Sequence, residues 1–250
     1  MVYLNRVVVD EIKEKLSIVG AVQIKGPKWC GKTTSAKQMA KNILEMPNPD
    51  LQDNYIELAN TKPFLLLEME KPRLIDEWQI APKLCNAVRY SVDNSGLTNQ
   101  YILTGSATLV DDDTLHSGVG RFAIVNMKPM SLFESKESNR KISLLDLKNG
   151  KRDIDGIKTD LDYENIAFVL CRGGWPNAIN LSENNALQIV KNYLDVLCHF
   201  DMSKVDGVKR NPQLARTILR SYARQVSTID SDSAMYKDIK AIMLMLVILQ

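Results

Sequence analysis

The stretch GPKWCGKT at residues 26–33 constrains the fold more than any other part of the chain. It fits the pattern G-x-x-x-x-G-K-[ST], in which glycines let the backbone wrap closely enough for its N–H groups to point at phosphate oxygens. The strand-like run AVQIK (21–25) precedes it, and TTSAKQMAKNIL (33–44) follows it with helical spacing. Because a phosphate-binding loop joins a strand to a helix, this context favours such a loop over a coincidental strand–turn–helix.

Helices and strands alternate along the first half of the chain. The pattern predicts helices over 8–19, 33–44 and 83–96, and strands over 21–25, 73–78, 100–106 and 122–127. Such alternation is typical of a parallel sheet with helices on both faces. We therefore expect an α/β fold, with the parallel sheet of a phosphate-loop NTPase flanked by helices. A smaller, mainly helical C-terminal region is expected to follow.

The composition is that of an ordinary globular chain. The protein has 250 residues, of which 45% are hydrophobic and 25% charged, and its formal net charge is +2. Any surface for nucleic acid would therefore have to be a local patch. The four cysteines form no C-x-x-C pair and the two histidines form no H-x-x-x-H pair, so neither a zinc site nor a disulfide framework is expected.

Neither end of the chain predicts a secretory signal or a membrane span. Asp10, Glu11 and Glu14 interrupt the apolar N-terminal stretch, which a signal peptide would not tolerate. The apolar tail AIMLMLVILQ (241–250) is about half of the ~20 residues that a spanning helix needs. The expected location is a reducing cytoplasm, with no membrane partner.

Two acids end the strand-like run RLIDEW at residues 73–78. In phosphate-loop ATPases the first such acid supports Mg²⁺ and the second polarises the attacking water, so we assign these roles to Asp76 and Glu77. The alternative is a pair of surface acids at the end of a strand. Glu68 is a weaker candidate because no second carboxylate lies beside it.

The next strand-like run, YILTGS (101–106), ends in polar residues. A polar side chain at this place is expected to touch the γ-phosphate or the attacking water, and Thr104 and Ser106 are the candidates. The alternative is a strand that simply runs into a turn at Gly105.

These motifs predict that ATP and Mg²⁺ bind at the loop. Lys32 would reach the β- and γ-phosphates, and Thr33 would ligate Mg²⁺ with the support of Asp76. The positive end of the following helix favours a thiolate at Cys30, and the alternative is a thiol packed beneath the loop. The residues expected to contact ATP are Gly26, Pro27, Lys28, Trp29, Cys30, Gly31, Lys32, Thr33 and Thr34.

With these elements in order, the sequence resembles ATPases of the AAA+ superfamily. More narrowly, it is similar to prokaryotic ATPases that join an AAA-type core to a C-terminal domain of unknown function. The resemblance implies ATP binding by Lys32 and Thr33, Mg²⁺ support by Asp76 and hydrolysis by Glu77. Beyond the loop it rests on KPRLIDEWQ, YILTGSAT, HSGVGR, MKPMSLFES, CRGGWPNA and VDGVKRNPQLARTILRSYARQVST.

The resemblance also implies an assembly of subunits. In AAA-type assemblies an arginine at a place comparable to Arg121 reaches the γ-phosphate of the neighbouring subunit. We therefore expect a homo-oligomer in which Arg121 takes part in catalysis. The alternative is an arginine that pairs with a carboxylate of its own chain.

Pattern and resemblance together divide the chain into three segments. We expect an AAA-type core at 1–133, a polar linker or insertion at 134–180, and a helical, winged-helix-like region at 181–250, its winged-helix-like part beginning near Gln213. The resemblance implies a longer last domain, so a truncated or frame-shifted end is expected. RGGWP (172–176) is interpreted as a tight structural turn.

Two other functions are alternatives. Arg216, Arg220 and Arg224 recur every four residues along one side of a helix, which suits either a DNA backbone or solvent. A nucleotide-gated DNA-binding switch, with a DNA or protein partner at the C-terminal region, is therefore one alternative. A small-molecule kinase is the other, and the Asp76–Glu77 pair disfavours it.

Overall fold

The chain folds into two compact units, Met1–Leu181 and Ser182–Gln250. The computed structural model describes residues 3–105, 120–151, 154–202, 211–226, 228 and 231–248. The first unit contains a five-stranded sheet. The second unit is helical in the part of it that the structure describes.

The sheet of the first unit is entirely parallel. Its strands are β1 (Ala21–Lys25), β2 (Asn42–Glu45), β3 (Arg73–Asp76), β4 (Tyr101–Thr104) and β5 (Phe122–Asn126). They lie in the order β2-β3-β4-β1-β5. Because parallel strands end at the same edge of a sheet, the carboxyl ends of β1, β3 and β4 lie together there.

In the first unit, four helices lie before or between the strands in the chain, and three shorter helices come after β5. They are α1 (Val8–Ile18), α2 (Lys32–Lys37), α3 (Gln52–Thr61) and α4 (Lys83–Ser95), then the shorter helices Leu144–Lys148, Tyr163–Arg172 and Pro176–Ile179. Two 3₁₀ turns lie at Pro63–Leu67 and Trp78–Ile80. The expected α/β fold with a parallel sheet flanked by helices is confirmed.

Neighbouring strand residues are buried on opposite faces of the sheet, as the pleat requires. On β1, Val22 and Ile24 pack in a core with Ile12 and Leu16 of α1. Ala21 faces a second core, which α3 and α4 cover. Because both faces of the sheet are buried, the sequences of its central strands are nearly continuous apolar runs.

The helix after the loop is shorter than its sequence pattern predicts. The apolar spacing predicts a helix over 33–44, but α2 ends at Lys37 and β2 begins at Asn42. β2 pairs with β3 along its whole length, which buries Leu44 and leaves Ile43 facing outward. Pairing with a neighbouring strand outweighs helical periodicity here, so the sheet has one strand more than predicted.

Residues 134–180, expected to form a linker or insertion, belong to the first unit. Arg172 is buried and pairs with Glu137 at 2.5 Å. The Met130 N–H donates to the Gly174 carbonyl at 2.7 Å. A Cβ on Gly174 would lie 2.1 Å from the Met130 carbonyl oxygen, so this close approach requires glycine. The RGGWP turn is thereby held against the segment that follows β5.

The second unit is built from long helices in the part of it that the structure describes. Glu183–Val196 continues into a π-helical turn at Leu197–Asp201, and the helices Pro212–Gln225 and Asp232–Ile248 follow. No helix among the described residues has both the length and the apolar character that crossing a membrane requires.

Ion pairs within the second unit use two of the three regularly spaced arginines. Arg216 pairs with Asp195, and Arg224 pairs with Asp238 at 2.5 Å. Because these carboxylates neutralise two of the charges that a DNA backbone would need, the basic face gives no support to DNA binding.

Candidate functional site

The loop at residues 26–33 has the backbone shape that its glycines allow. Gly31 has a φ of 96°, a left-handed conformation that costs a residue with a Cβ roughly 1–2 kcal/mol. Trp29 also has a positive φ, 66°, and its side chain is about half exposed. The Lys32 amine donates to the carbonyls of Gly26 at 2.8 Å and Pro27 at 3.0 Å. Lys32 therefore folds back over the loop and places its charge there.

One oxygen of Asp76 accepts hydrogen bonds from two hydroxyl groups. Thr33 donates to it at 2.6 Å and Thr104 at 2.5 Å. Asp76 and Thr104 are paired neighbours on β3 and β4, so the sheet register brings these two side chains together. Thr104 is fully buried and is not among the residues that line the adjacent pocket. Its hydroxyl positions Asp76 in this structure, and a contact with phosphate or water stays a prediction.

Glu77 follows β3 directly and has a left-handed backbone, with φ 53° and ψ 49°. That conformation is strained for a residue with a side chain, and such strain is concentrated at functional sites. Glu77 lines the pocket, and its carboxylate accepts a hydrogen bond from the Gln79 side-chain amide. The two adjacent acids thus have different surroundings: Asp76 bonds to threonines, and Glu77 faces the pocket.

A pocket of about 640 Å³ lies beside the loop, within the size range of small-molecule sites. Most of its wall comes from three stretches of the first unit, namely the N-terminal residues, the loop with α2, and residues 176–180, and Glu77 and Met130 complete it. Tyr3 and Pro176 contribute apolar surface, and Asn177 and Asn180 contribute side-chain amides. The loop residues on its wall are Lys28, Trp29, Gly31, Lys32, Thr33 and Thr34.

The side chain of Cys30 packs beneath the loop. It is fully buried in the core that contains Ile24 and Met127. Burial raises the pKa of the Cys30 thiol, and the nearby charges of Lys32 and Arg6 offset this only in part. Of the two alternatives, the structure therefore supports the thiol packed beneath the loop.

A buried ion pair between Arg6 and Glu134 contacts the backbone of the loop. Their side chains are 4% and 7% exposed, and Arg6 Nε lies 3.0 Å from Glu134 Oε1. Arg6 also donates to the Cys30 carbonyl at 2.6 Å. Burial raises the pKa of Glu134, but hydrogen bonds from Ser131, Val7 and Arg6 outweigh it, so its pKa is lowered overall. No local sequence pattern indicates this pair, whose partners are 128 residues apart.

Arg121 lies at the opposite edge of the sheet from the loop. It immediately precedes β5, and its carbonyl accepts a hydrogen bond from Ala21 at the start of β1. The loop begins at Gly26, five residues after Ala21, so about 16 Å of extended strand separates the two ends of β1. Arg121 pairs with Asp93 of its own chain at 2.5 Å, and both side chains are partly exposed. Arg121 is too far away to reach its own loop, and action across subunits stays a prediction.

The structure brings most of the predicted site residues to one place. Lys32, Thr33 and Glu77 line the pocket, and Asp76 lies behind Thr33. Ser106 is outside the described residues. The lining residues that were not predicted as site residues are Tyr3, Leu4, Arg6, Ser35, Gln38, Met130, Pro176, Asn177 and Asn180. Of these, Pro176 ends the RGGWP segment, which was interpreted as a structural turn.

Comparison with protein families gives two matches. Residues 19–136 match the model of the family described as AAA domain, and residues 163–243 match a domain of unknown function (DUF8612). The segment 19–136, which contains the parallel sheet and the glycine loop of residues 26–33, is thus similar to the AAA domain family. The expected order, an AAA-type core followed by a domain of unknown function, is confirmed. No curated protein sequence matches the chain.

The chain has distant matches among solved structures. The chain is 18% identical to PCH-2 from C. elegans (75% of this chain, 59% of that one, TM-score 0.36). It is 14% identical to AMPPCP-bound DnaA from Aquifex aeolicus (94% and 85%, TM-score 0.42) and 16% identical to a RuvB from Thermotoga maritima (82% and 63%, TM-score 0.36). It thus spans less than two thirds of the PCH-2 and RuvB chains.

The packing of Cys30 predicts the order in which the cysteines react. In the nucleotide-free protein near neutral pH, N-ethylmaleimide should modify the exposed Cys171 first and Cys30 at least about tenfold more slowly, because a buried thiol with a raised pKa has little thiolate. Mass spectrometry of peptides taken over time measures both rates. Denatured protein, in which both cysteines should react alike, is the control. Equal rates in the native protein would contradict the packing.

Proposed function

We propose that the chain binds ATP with Mg²⁺ in this pocket, hydrolyses it, and uses the hydrolysis to drive a conformational change. The observation that carries the proposal is the 2.6 Å hydrogen bond from Thr33 to Asp76, next to Lys32 on the wall of the pocket. A hydroxyl, a carboxylate and a lysine in this arrangement are the groups that a phosphate chain and its metal ion need.

Each side chain has a distinct role in the proposed reaction. Lys32 and the loop N–H groups bind the β- and γ-phosphates and hold them in place. Glu77, which faces the pocket, orients the attacking water and accepts its proton. Thr104 holds the Asp76 carboxylate in position, and Ser106 is a further candidate for contact with the γ-phosphate.

The residues present fit a magnesium ion. Mg²⁺ binds hard oxygen ligands, takes only one or two from the protein, and completes its shell with water and substrate phosphates. The Thr33 hydroxyl and the Asp76 carboxylate are oxygen donors that already lie within hydrogen-bond distance of each other. Bound there, the ion would offset the negative charge that develops on the phosphates.

Substitution of Lys32 and Glu77 separates binding from hydrolysis. Lys32→Ala should raise the Kd for Mg-ATP by about 10- to 100-fold, since it removes a charged hydrogen-bond donor. Glu77→Gln should leave the Kd unchanged and slow hydrolysis by about 10²- to 10⁴-fold, because it keeps the shape and removes the base. Titration calorimetry measures the first effect, and phosphate release without any acceptor measures the second.

Two matched controls are available for these variants. Lys37→Ala removes an exposed lysine of α2, and Glu68→Gln changes the competing acid, which is exposed. Both should behave as the wild type. Hydrolysis at the wild-type rate in Glu77→Gln would show that Glu77 is not the base. Turnover that requires an added acceptor would favour a kinase instead.

We also propose that Arg121 acts on the nucleotide of a neighbouring subunit. Arg121→Ala should bind Mg-ATP normally and hydrolyse it ~10³-fold more slowly. Mixing it with Glu77→Gln should restore part of the activity, because some interfaces then combine an intact Glu77 with an intact Arg121. Phosphate release by co-assembled mixtures measures this recovery.

Asp93→Asn is the control for the Arg121 prediction. It removes the ion pair between Asp93 and Arg121 but keeps the arginine, so hydrolysis should continue. If Asp93→Asn and Arg121→Ala have equal effects, Arg121 serves only its own ion pair. A mixture that co-assembles yet stays inactive would also exclude action across subunits.

A further inference from the structure

A single buried guanidinium joins three separate parts of the first unit. Arg6 Nε pairs with Glu134 at 3.0 Å, Nη1 donates to the Cys30 carbonyl at 2.6 Å, and Nη2 donates to the Lys128 carbonyl at 2.7 Å. Arg6 precedes α1, Cys30 belongs to the phosphate-binding loop, and Lys128 and Glu134 follow β5. All three nitrogens of the guanidinium are therefore bonded to the protein.

Glu134 is fixed as firmly as the arginine. Its Oε1 accepts a hydrogen bond from the Val7 N–H at 2.8 Å. Its Oε2 accepts bonds from the N–H and the hydroxyl of Ser131, at 2.8 and 3.0 Å. A buried charge that is bonded on every side has little freedom to move, so the pair provides a rigid support for the loop.

The contact with the loop has a direct consequence for its phosphate-binding face. In a planar trans peptide the C=O and the following N–H point in opposite directions. Because Arg6 holds the Cys30 carbonyl, it also fixes the direction of the Gly31 N–H, on the side away from the guanidinium. Gly31 has a φ of 96° and lines the pocket, so this N–H belongs to the part of the loop that meets a ligand.

We infer that Arg6, held by Glu134, is a positioning residue that orients the Cys30–Gly31 peptide for binding the phosphates of the nucleotide. The inference rests on the proposed function and deepens it. Arg6 lines the pocket, but the role requires no contact with the nucleotide, because all three guanidinium nitrogens are already bonded to the protein. The role requires arginine, because a lysine amine is a single point charge and cannot donate in three fixed directions.

Arg6→Lys tests the inference, with Arg172→Lys as a matched control. Both arginines are buried and paired with a glutamate, but Arg172 bonds to Glu137 and the Gly173 carbonyl and not to the loop. Both variants should lower the Tm of the nucleotide-free protein. Only Arg6→Lys should raise the Kd for Mg-ATP. The expected rise is about tenfold or more, because the loss of one charged hydrogen bond, here that to the Cys30 carbonyl, has an effect of this size.

Hydrogen exchange of the loop gives a readout that needs no nucleotide. The amides of the peptide that covers residues 26–33 should exchange about tenfold faster in Arg6→Lys than in Arg172→Lys, because only the first loses its support for the loop. If Arg6→Lys fails to fold, Glu134→Gln replaces it, since it keeps the shape of the partner and removes its charge.

The outcomes separate the two proposals. If the wild type does not bind Mg-ATP, the proposed function is wrong. In that case the hydrogen exchange of residues 26–33 alone decides whether Arg6 positions the Cys30–Gly31 peptide. If the wild type binds and Arg6→Lys binds as tightly, with unchanged loop exchange, the positioning role is wrong. Equal changes in Arg6→Lys and Arg172→Lys would show a general loss of stability and would also overturn it.

Discussion

One carboxylate oxygen of Asp76 accepts hydrogen bonds from Thr33 and Thr104, and the geometry of the site depends on this contact. It ties the start of α2 to the carboxyl ends of β3 and β4, three elements that are distant in sequence. Parallel pairing places Asp76 beside Thr104, and the loop brings Thr33 to the same oxygen. Lys32 and Glu77 are then held on the wall of one pocket.

The site extends beyond the segment that matches the AAA domain family. Residues 19–136 contain the loop and both acids, but Arg6 lies before this segment and Asn177 and Asn180 lie after it. Arg6 supports the loop from below, and the two asparagines close the pocket on another side. The first unit as a whole, and not the AAA segment alone, therefore builds the pocket.

Sequence patterns predicted the parts of the molecule that local chemistry determines. The loop between β1 and α2, the place of Asp76 and Glu77 at the end of β3, and α4 each follow from neighbouring residues, and the structure has these elements there. The roles of the two acids stay predictions. β2 was missed because its pairing with β3 outweighs its helical spacing. The sequence left the state of Cys30 open because burial, which raises the pKa of the thiol, depends on long-range packing. The Arg6–Glu134 pair has no local signal for the same reason.

The dependence of ATP affinity on Mg²⁺ tests the central claim most directly. If Thr33 and Asp76 hold the ion, titration calorimetry on the wild type should show tighter ATP binding with Mg²⁺ than with excess EDTA. Asp76→Asn should abolish most of that difference, because it removes the charge that favours the ion while Lys32 still binds phosphate. A wild-type affinity that Mg²⁺ does not change, or a metal dependence that Asp76→Asn retains in full, would contradict the assignment.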